Sequence, residues 1–202
     1  TFSDDALSET HPGYMDPNQD SWSTLAGEEA FNQDDADKTQ QLLKEAGYNG
    51  EEIKLMVTRD YDYNYNSAVV VKEQLEQAGI NVTLEVFDWA TLQDRREDPE
   101  NWDLITLSTG YVTTPSQLLP LNPSWGGWTD DPDITEMMDK IRTAKEQEEA
   151  KSYWEELQHY LWTEYLPVSI LGHYTKIVAA SDKVSGFSIL GGPILWNTSI
   201  SE

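Results

Sequence analysis

Apolar positions between residues 53 and 87 switch from the period of a strand to that of a helix and back. Ile53–Thr58 and Val82–Phe87 are alternating and β-branched, which predicts two strands. Residues 64–79 place apolar side chains three and four positions apart on one helical face, and Gly79 ends that helix. Strand, helix and strand in this order predict a βαβ unit with parallel strands and a right-handed crossover. The inward-facing positions are Ile53, Leu55, Val57, Ala68, Val71, Leu75 and Ala78.

Four further helices are indicated by end signals and apolar spacing. Their predicted spans are 36–46 (capped at 32–35 and ended by Gly47), a short polar helix over 90–97, a helix capped by Asp131 or Asp133, and 148–165 (ended by Pro167). Apolar faces on the three longer helices are Ala36, Leu42, Leu43 and Ala46; Ile134, Met137, Met138 and Ile141; and Trp154, Leu157, Leu161 and Tyr165.

The predicted fold is organised around the stretch NWDLITLSTGYVTTP. Residues 102–107 predict a central strand that Leu104, Ile105 and Leu107 hold in the core. Residues 108–114, which are small, hydroxyl-bearing or aromatic, predict a loop. Because ligands of open α/β sheets bind beyond the carboxyl ends of the strands, we interpret this loop as a binding surface.

The other stretches are irregular. Residues 1–33 predict a polar lead-in, and PLNPSWGGWTDDPD predicts an ordered loop because it is rich in Pro and Gly yet aromatic. Short strands are predicted at 168–171 and 176–179, followed by a Gly- and Pro-rich tail. No internal repeat or clean domain boundary is evident. The fold class is α/β, with a mixed, mostly parallel sheet flanked by helices.

Composition excludes several functional classes. The 37 acidic and 13 basic residues give a net charge of −24, a field that repels nucleic acid and anionic lipid. The acidic residues are spread along the chain, which favours a solvated surface over an acidic partner-binding face. Without cysteine there is no disulfide framework or thiolate site. We expect no signal peptide or transmembrane helix, and the polar start at Thr1 fits a piece of a longer chain.

Few residues suggest chemistry. Ser catalysis needs an oriented base, and no Gly-x-Ser-x-Gly elbow accompanies His11, His159 or His173. His173 is the better candidate for a polar ligand contact. An acidic group at the start of the helix capped by Asp131 or Asp133 resembles calcium ligands, but helix capping explains it more simply; its members are Asp130, Asp131, Asp133 and Glu136. Glycine motifs for phosphate cofactors are absent, so we predict no cofactor. From the histidines and the acidic group described above, we also predict no catalytic residue and no metal.

Tryptophan is used heavily, with eight residues. Trp125 and Trp128 lie in the predicted irregular loop, where indole planes either stack on a ligand or pin the loop to the core. Trp89, Trp102 and Trp154 are predicted in the core.

Five motifs in order resemble the family 5 extracellular solute-binding proteins of ABC importers, which include dipeptide, oligopeptide and nickel receptors. The matching stretches are DADKTQQLLKEAGY, VKEQLEQAGINVTLEVFDWATL, NWDLITLSTG, EEAKSYWEELQHYLWTEYLPVSILGHY and VSGF. The resemblance spans nearly the whole chain. It implies a periplasmic-binding-protein-like lobe: residues 1–202 would be the C-terminal lobe of a two-lobed receptor, with residues 184–202 returning toward the other lobe.

The chain departs from the family pattern at one informative position. Peptide-binding relatives follow the strand with Gly-Trp-x-Gly/Ala-Asp, whose carboxylate receives the peptide's ammonium group. Tyr111 occupies that carboxylate position here. A phenol can accept a hydrogen bond and stack, but it offers no negative charge at neutral pH. The departure favours a neutral solute such as an oligosaccharide, whereas the family favours an oligopeptide.

The resemblance implies a non-enzymatic, monomeric binding module, with lipoprotein relatives, at the extracellular face of the membrane or in the periplasm. It would capture an oligopeptide or other small solute by hinge closure and deliver it to an ABC permease. The predicted ligand contacts are Thr109, Gly110, Tyr111, Thr113, Trp125, Trp128 and His173. A hydrolase of extracellular polymers, which needs a paired-carboxylate groove, and a structural surface protein, which needs no cleft, are the alternatives from other classes.

Overall fold

The computed structural model describes residues 7–8, 11–174, 179–189 and 192–201. In chain order the strands are β1 (Leu7–Ser8), β2 (Ile53–Thr58), β3 (Val82–Phe87), β4 (Leu104–Ile105), β5 (His173–Tyr174), β6 (Val184–Ser185), β7 (Ser188–Ile189), β8 (Pro193–Ile194) and β9 (Ser199–Ile200). The helices are α1 (Ala36–Glu45), α2 (Asp62–Gln77), α3 (Trp89–Arg95), α4 (Pro132–Thr143) and α5 (Gln147–Tyr160). Short 3-10 turns occupy Glu28–Ala30, Pro99–Asn101, Pro115–Gln117 and Leu119–Leu121, and a π turn occupies Leu161–Tyr165.

The chain divides into two compact units that interleave along the sequence. The sheet unit comprises Glu29–Thr109 and Leu119–Asp130, and the helical unit comprises Thr1–Glu28, Gly110–Leu118 and Asp131–Glu202. None of the described helices combines the length and apolar character needed to cross a membrane.

The sheet unit is built on a parallel sheet of order β3-β2-β4. The predicted βαβ unit is confirmed: β2 and β3 pair over six residues and α2 crosses between them. A core of Leu55, Val57, Ala68 and Val82 joins this helix to the sheet, because the three-and-four spacing of α2 meets the alternation of β2. Residues on both faces of β2 are buried, as expected for a strand with parallel neighbours on either side.

The prediction for the next strand was wrong in position and length. β4 contains two residues and lies beside β2 as the third strand, so it is not central. Leu104, predicted for the core, is 39% exposed, and Leu107 lies beyond the strand. The pairing is short because the backbone leaves β2 after Thr106, whose N–H donates to the Met56 carbonyl at 3.1 Å.

The helical unit packs α4 against α5. Asp131 caps α4, and all four predicted inward positions are buried, namely Ile134, Met137, Met138 and Ile141. On α5 Trp154 and Leu157 are fully buried. The helix then widens into the π turn, and Leu166 at φ 45° ends it one residue before Pro167.

Residues 11–26 lie along α5 and form what we call the strap. The indole N–H of Trp154 donates to the Trp22 carbonyl at 2.8 Å, and that of Trp162 donates to the Pro12 carbonyl at 2.8 Å. Gln158 is fully buried and bonds three strap backbone groups. The strap therefore supplies one wall of the α5 packing although it contains no strand or long helix.

The C-terminal segments differ from prediction. Residues 168–171 do not form a strand. The nearest strand is β5 at His173–Tyr174, which pairs antiparallel with β1. Most of the strand predicted at 176–179 lies outside the described residues. The tail contains two short antiparallel pairs, β6 with β9 and β7 with β8.

Candidate functional site

The carboxyl edge of the parallel sheet carries an aromatic cluster. Tyr61 and Tyr63 follow β2, Trp89 follows β3, and Ser108 follows β4. The rings of Tyr61 and Tyr63 stack with centroids 5.8 Å apart, and Trp89 meets Tyr61 edge-on at 5.3 Å. The Tyr63 hydroxyl and the Ser108 Oγ are 3.3 Å apart and share a hydrogen bond. This places ring faces and hydroxyl groups where parallel sheets receive ligands.

Local hydrogen bonds set this cluster. Asp60 accepts the Trp89 backbone N–H at 2.7 Å, which ties the end of β2 to the start of α3. Its own N–H donates to the Thr58 hydroxyl at 3.1 Å. Asp88 caps α3 by accepting from the Thr91 N–H at 2.9 Å and from the Thr91 hydroxyl at 2.7 Å, and these two hydrogen bonds hold the pKa of Asp88 below its ordinary value. The aromatic side chains therefore stand on a backbone fixed by carboxylates.

Sequence reasoning missed these residues. Trp89 was predicted in the core, yet it is half-buried at the sheet edge. The predicted strand ends at Thr58 and the next helix is predicted from residue 64, so Tyr61 and Tyr63 fall in a stretch for which no site residue is predicted. Its position directly after a buried parallel strand was the signal that could have marked it.

Thr109 ends the first segment of the sheet unit and is exposed, whereas Gly110, Tyr111 and Thr113 belong to the helical unit. Tyr111 is 40% exposed. A Cβ on Gly110 would meet no atom within 4 Å, so the loop is open at this point. These residues present a phenol and a bare backbone to solvent, as a ligand contact requires.

Thr113 has a structural partner. Its N–H and hydroxyl both donate to the Gln117 Oε1, at 2.8 and 2.9 Å. The adjacent Val112 carbonyl accepts from the Gln19 amide at 2.7 Å. The loop around Tyr111 is therefore held from both sides, and the Thr113 hydroxyl has only its acceptor capacity left for a ligand.

In the sheet unit, Trp125 and Trp128 each pack against a neighbour. The Arg96 guanidinium lies 4.9 Å from the Trp125 ring centroid, and the Trp128 ring lies 6.0 Å from that of Trp102. The Trp102 indole donates to the Arg96 carbonyl at 3.1 Å. These contacts favour the interpretation that the tryptophans pin the loop, although both residues are half-buried and not fully buried.

His173 lies in β5 and bonds the Gly13 carbonyl through Nε2 at 3.2 Å. Its ring is 6.2 Å from that of His11. One ring nitrogen of His173 is therefore used by the strap, and a ligand contact of His173 stays a prediction.

The acidic residues before α4 have identifiable roles. Asp131 Oδ1 accepts the N–H groups of Asp133 and Ile134, and Oδ2 accepts the Tyr160 hydroxyl at 3.1 Å. Desolvation and this hydrogen bond raise the pKa of Tyr160. Among the residues described, no group of three or more metal-ligating side chains converges. A groove of about 400 Å³ between α4 and α5 is lined by a mixture of exposed acidic side chains and other residues, including Lys140 and His159, in keeping with a solvated face.

Comparison with known proteins gives one family. Residues 3–131 match the family described as bacterial extracellular solute-binding proteins, family 5 Middle. A probable peptide ABC transporter periplasmic-binding protein, y4tO of Sinorhizobium fredii (strain NBRC 101917 / NGR234), is 28% identical over 174 residues. That match covers 81% of this chain and 33% of the relative.

Solved structures share the fold. A dipeptide-binding protein from Pseudoalteromonas sp. SM9913 in complex with Met-Leu superposes with a TM-score of 0.74 at 18% identity, covering 98% of this chain and 41% of that one. AgaA of A. tumefaciens R10 in complex with agropinic acid superposes with a TM-score of 0.72 at 23% identity, covering 97% of this chain and 43% of that one. The chain thus spans less than half the length of these proteins.

Proposed function

The chain belongs to the bacterial extracellular solute-binding proteins of family 5, and we propose that it forms part of the substrate-binding component of an ABC importer. The observation that carries this proposal is the carboxyl edge of the sheet, where Tyr61, Tyr63 and Ser108 present ring faces and hydroxyls. Such a surface binds by contact area and hydrogen bonds and contains no paired nucleophile and base. The receptor would work as a monomer outside the cytoplasmic membrane or in the periplasm and hand its solute to the permease.

We propose an oligopeptide as the solute class. The y4tO relative is named for peptide transport, and a structure of the same fold holds the dipeptide Met-Leu. Tyr111 modifies that proposal, since an exposed phenol replaces the carboxylate that would neutralise a peptide ammonium group. The agropinic acid complex of AgaA supports a second possibility, a non-peptide solute bound on the same fold.

The proposed mechanism is hinge closure. A solute that contacts this chain and the remainder of the receptor together binds the closed state more tightly, so its binding shifts the population toward closure. Thr109, Gly110, Trp125 and Trp128 are proposed as further contacts, each from within its own unit. His173 is proposed only as a support, because its Nε2 is bonded to Gly13.

A thermal-shift titration of the full-length receptor tests the proposal. Peptides, their N-acetylated forms and neutral oligosaccharides are compared, because a bound solute raises the midpoint by mass action. Tyr111→Ala should abolish most of the shift, while Tyr165→Ala, a similarly exposed tyrosine of the helical unit, should leave it unchanged. Peptides that stabilise only with a free amino group would refute the Tyr111 argument. Cleavage of the peptide during the assay, followed by mass spectrometry, would overturn the receptor proposal itself.

A further inference from the structure

Two histidines bond the backbone N–H and the backbone carbonyl of one buried residue of the strap, Gly13. The Gly13 N–H donates to His11 Nδ1 at 2.9 Å, and the Gly13 carbonyl lies 3.2 Å from His173 Nε2. The fit around this unit is tight, since a Cβ on Gly13 would lie 2.6 Å from His11 Cε1. Both backbone groups of one buried residue therefore depend on imidazole nitrogens.

The two imidazoles respond differently to acid. His173 donates to a carbonyl, and its Nε2–H is present in both the neutral donor tautomer and the imidazolium. His11 accepts through Nδ1, and a protonated imidazole has no acceptor nitrogen. When His11 takes up a proton, its Nδ1 carries a hydrogen that points at the Gly13 N–H, so the hydrogen bond between them is lost. The hydrogen bond from His173 to the Gly13 carbonyl is kept.

We propose that the strap is a pH-sensitive latch, closed while His11 is neutral and opened when His11 takes up a proton. The adjoining contacts explain why one bond matters. On either side of Gly13, the Pro12 carbonyl accepts from Trp162 and the Tyr14 hydroxyl donates to the Val168 carbonyl at 3.0 Å. Because Pro12 and Tyr14 are the neighbours of Gly13 in the chain, displacing the Gly13 backbone moves both of these anchor points.

The latch reaches the loop that carries Tyr111. A turn ends six residues beyond Gly13, and in it the Gln19 N–H donates to the Asp16 carbonyl at 2.9 Å. The Gln19 side chain then bonds the Val112 carbonyl, one residue from Tyr111. Opening the strap therefore loosens this loop, and if the proposed function holds, acid weakens solute binding through the same residues.

The charged groups around His11 set the direction of the response. Burial lowers the pKa of His11 below 6.5, the neighbouring His173 lowers it further, and the Asp16 carboxylate opposes both. Since the folded-state pKa lies below the unfolded one, the stabilisation by neutral His11 is complete above about pH 6.5 and is lost as the pH falls below that value. The latch is closed at neutral pH.

Hydrogen exchange of the Gly13 backbone amide tests the proposal without any ligand. It is measured by NMR on the chain from pH 7.5 to pH 5 and corrected for the intrinsic exchange rate at each pH. We expect protection at Gly13 to fall about tenfold as the His11 ring titrates, because one buried hydrogen bond is lost. His11→Asn should remove this pH dependence, since an asparagine oxygen also accepts the N–H two residues on but does not titrate. His159→Asn, an exposed histidine on α5, should retain it.

Two charge variants test the sign. His173→Gln keeps a donor for the Gly13 carbonyl but removes the neighbouring imidazole that lowers the His11 pKa, so the opening midpoint should move to higher pH. Asp16→Asn removes the opposing carboxylate, so the midpoint should move to lower pH. The latch proposal fails if Gly13 protection in the native chain does not follow the His11 titration, or if His11→Asn keeps the same pH dependence. It also fails if both charge variants shift the midpoint in the same direction. None of these outcomes depends on which solute the receptor binds.

Discussion

Gln158 is the polar side chain on which the strap most depends, and its replacement by methionine isolates that dependence. The residue is fully buried on α5 and makes three hydrogen bonds to strap backbone groups. Its Oε1 accepts the Tyr14 N–H at 3.2 Å, and its Nε2 donates to the Thr24 and Ala26 carbonyls at 3.1 and 2.9 Å. Methionine keeps nearly the same volume and removes all three bonds.

The expected loss follows from these bonds. A net contribution of about 1 kcal/mol each gives about 3 kcal/mol, and the strap groups, being only half-buried, regain part of their hydration when the bonds break. A value near 3 kcal/mol is large against a total stability of about 5 to 15 kcal/mol. Gln158→Met should therefore lower the free energy of unfolding of the helical unit by about a third of its value.

Urea unfolding followed by tryptophan fluorescence measures this loss, and Gln147→Met supplies a matched control. Gln147 lies on the same helix and also bonds the strap, donating to the Ser21 carbonyl at 3.1 Å, but it is exposed. Its replacement should change stability by less than about 0.5 kcal/mol. If both variants cost the same, or if Gln158→Met costs less than about 1 kcal/mol, the reasoning from burial and hydrogen bonding is refuted.

Three further results are expected. Asp131→Ala should lower the free energy of unfolding by about 2 kcal/mol, because it removes the α4 cap and the hydrogen bond to Tyr160. The same change should lower the Tyr160 pKa in a spectrophotometric titration. Asp131→Asn, which still caps the helix, should cost less than about 1 kcal/mol. Calcium should not shift the melting midpoint of the native chain if capping is the role of Asp131; a shift that Asp131→Asn abolishes would contradict it. Gly47→Ala, at φ 72°, should cost about 1 kcal/mol of stability from backbone strain alone. Gly27→Ala, at φ 85°, should cost clearly more, because the new Cβ would also lie 2.8 Å from the Trp162 Cβ. Equal losses for the two variants would contradict the packing argument.

Local patterns predicted the elements whose signals are local. The inward face of α4 is predicted in full because the cap at Asp131 and the spacing of its apolar residues lie within one helix. The βαβ unit is predicted for the same reason, since β2, α2 and β3 each carry their own period. In β4 the apolar run did not reveal that pairing stops after Ile105, which depends on where the backbone of β2 leads.

The candidate site was predictable only in outline. Tyr111 stands exposed in its loop as predicted from the sequence, whereas Trp125 and Trp128 turned out to pack on Arg96 and Trp102. The Tyr61 and Tyr63 pair was missed because its role depends on the adjacent ends of β2 and β3. Gln158 was missed as well, because glutamine on a helix is usually a surface residue and its partners lie in a distant segment.

The strap also has a consequence for the order of events during biosynthesis. The Trp22 carbonyl bonds the indole of Trp154, which is synthesised 132 residues later. At about 5 to 20 residues per second, a ribosome needs on the order of ten seconds to supply it. Until α5 is synthesised, Trp22 lacks the indole that its carbonyl bonds in the folded protein, whereas the residues of the βαβ unit have already been made. We expect the nascent helical unit to depend on chaperones that shield apolar segments during this interval, and we expect slower translation before α5 to increase its aggregation.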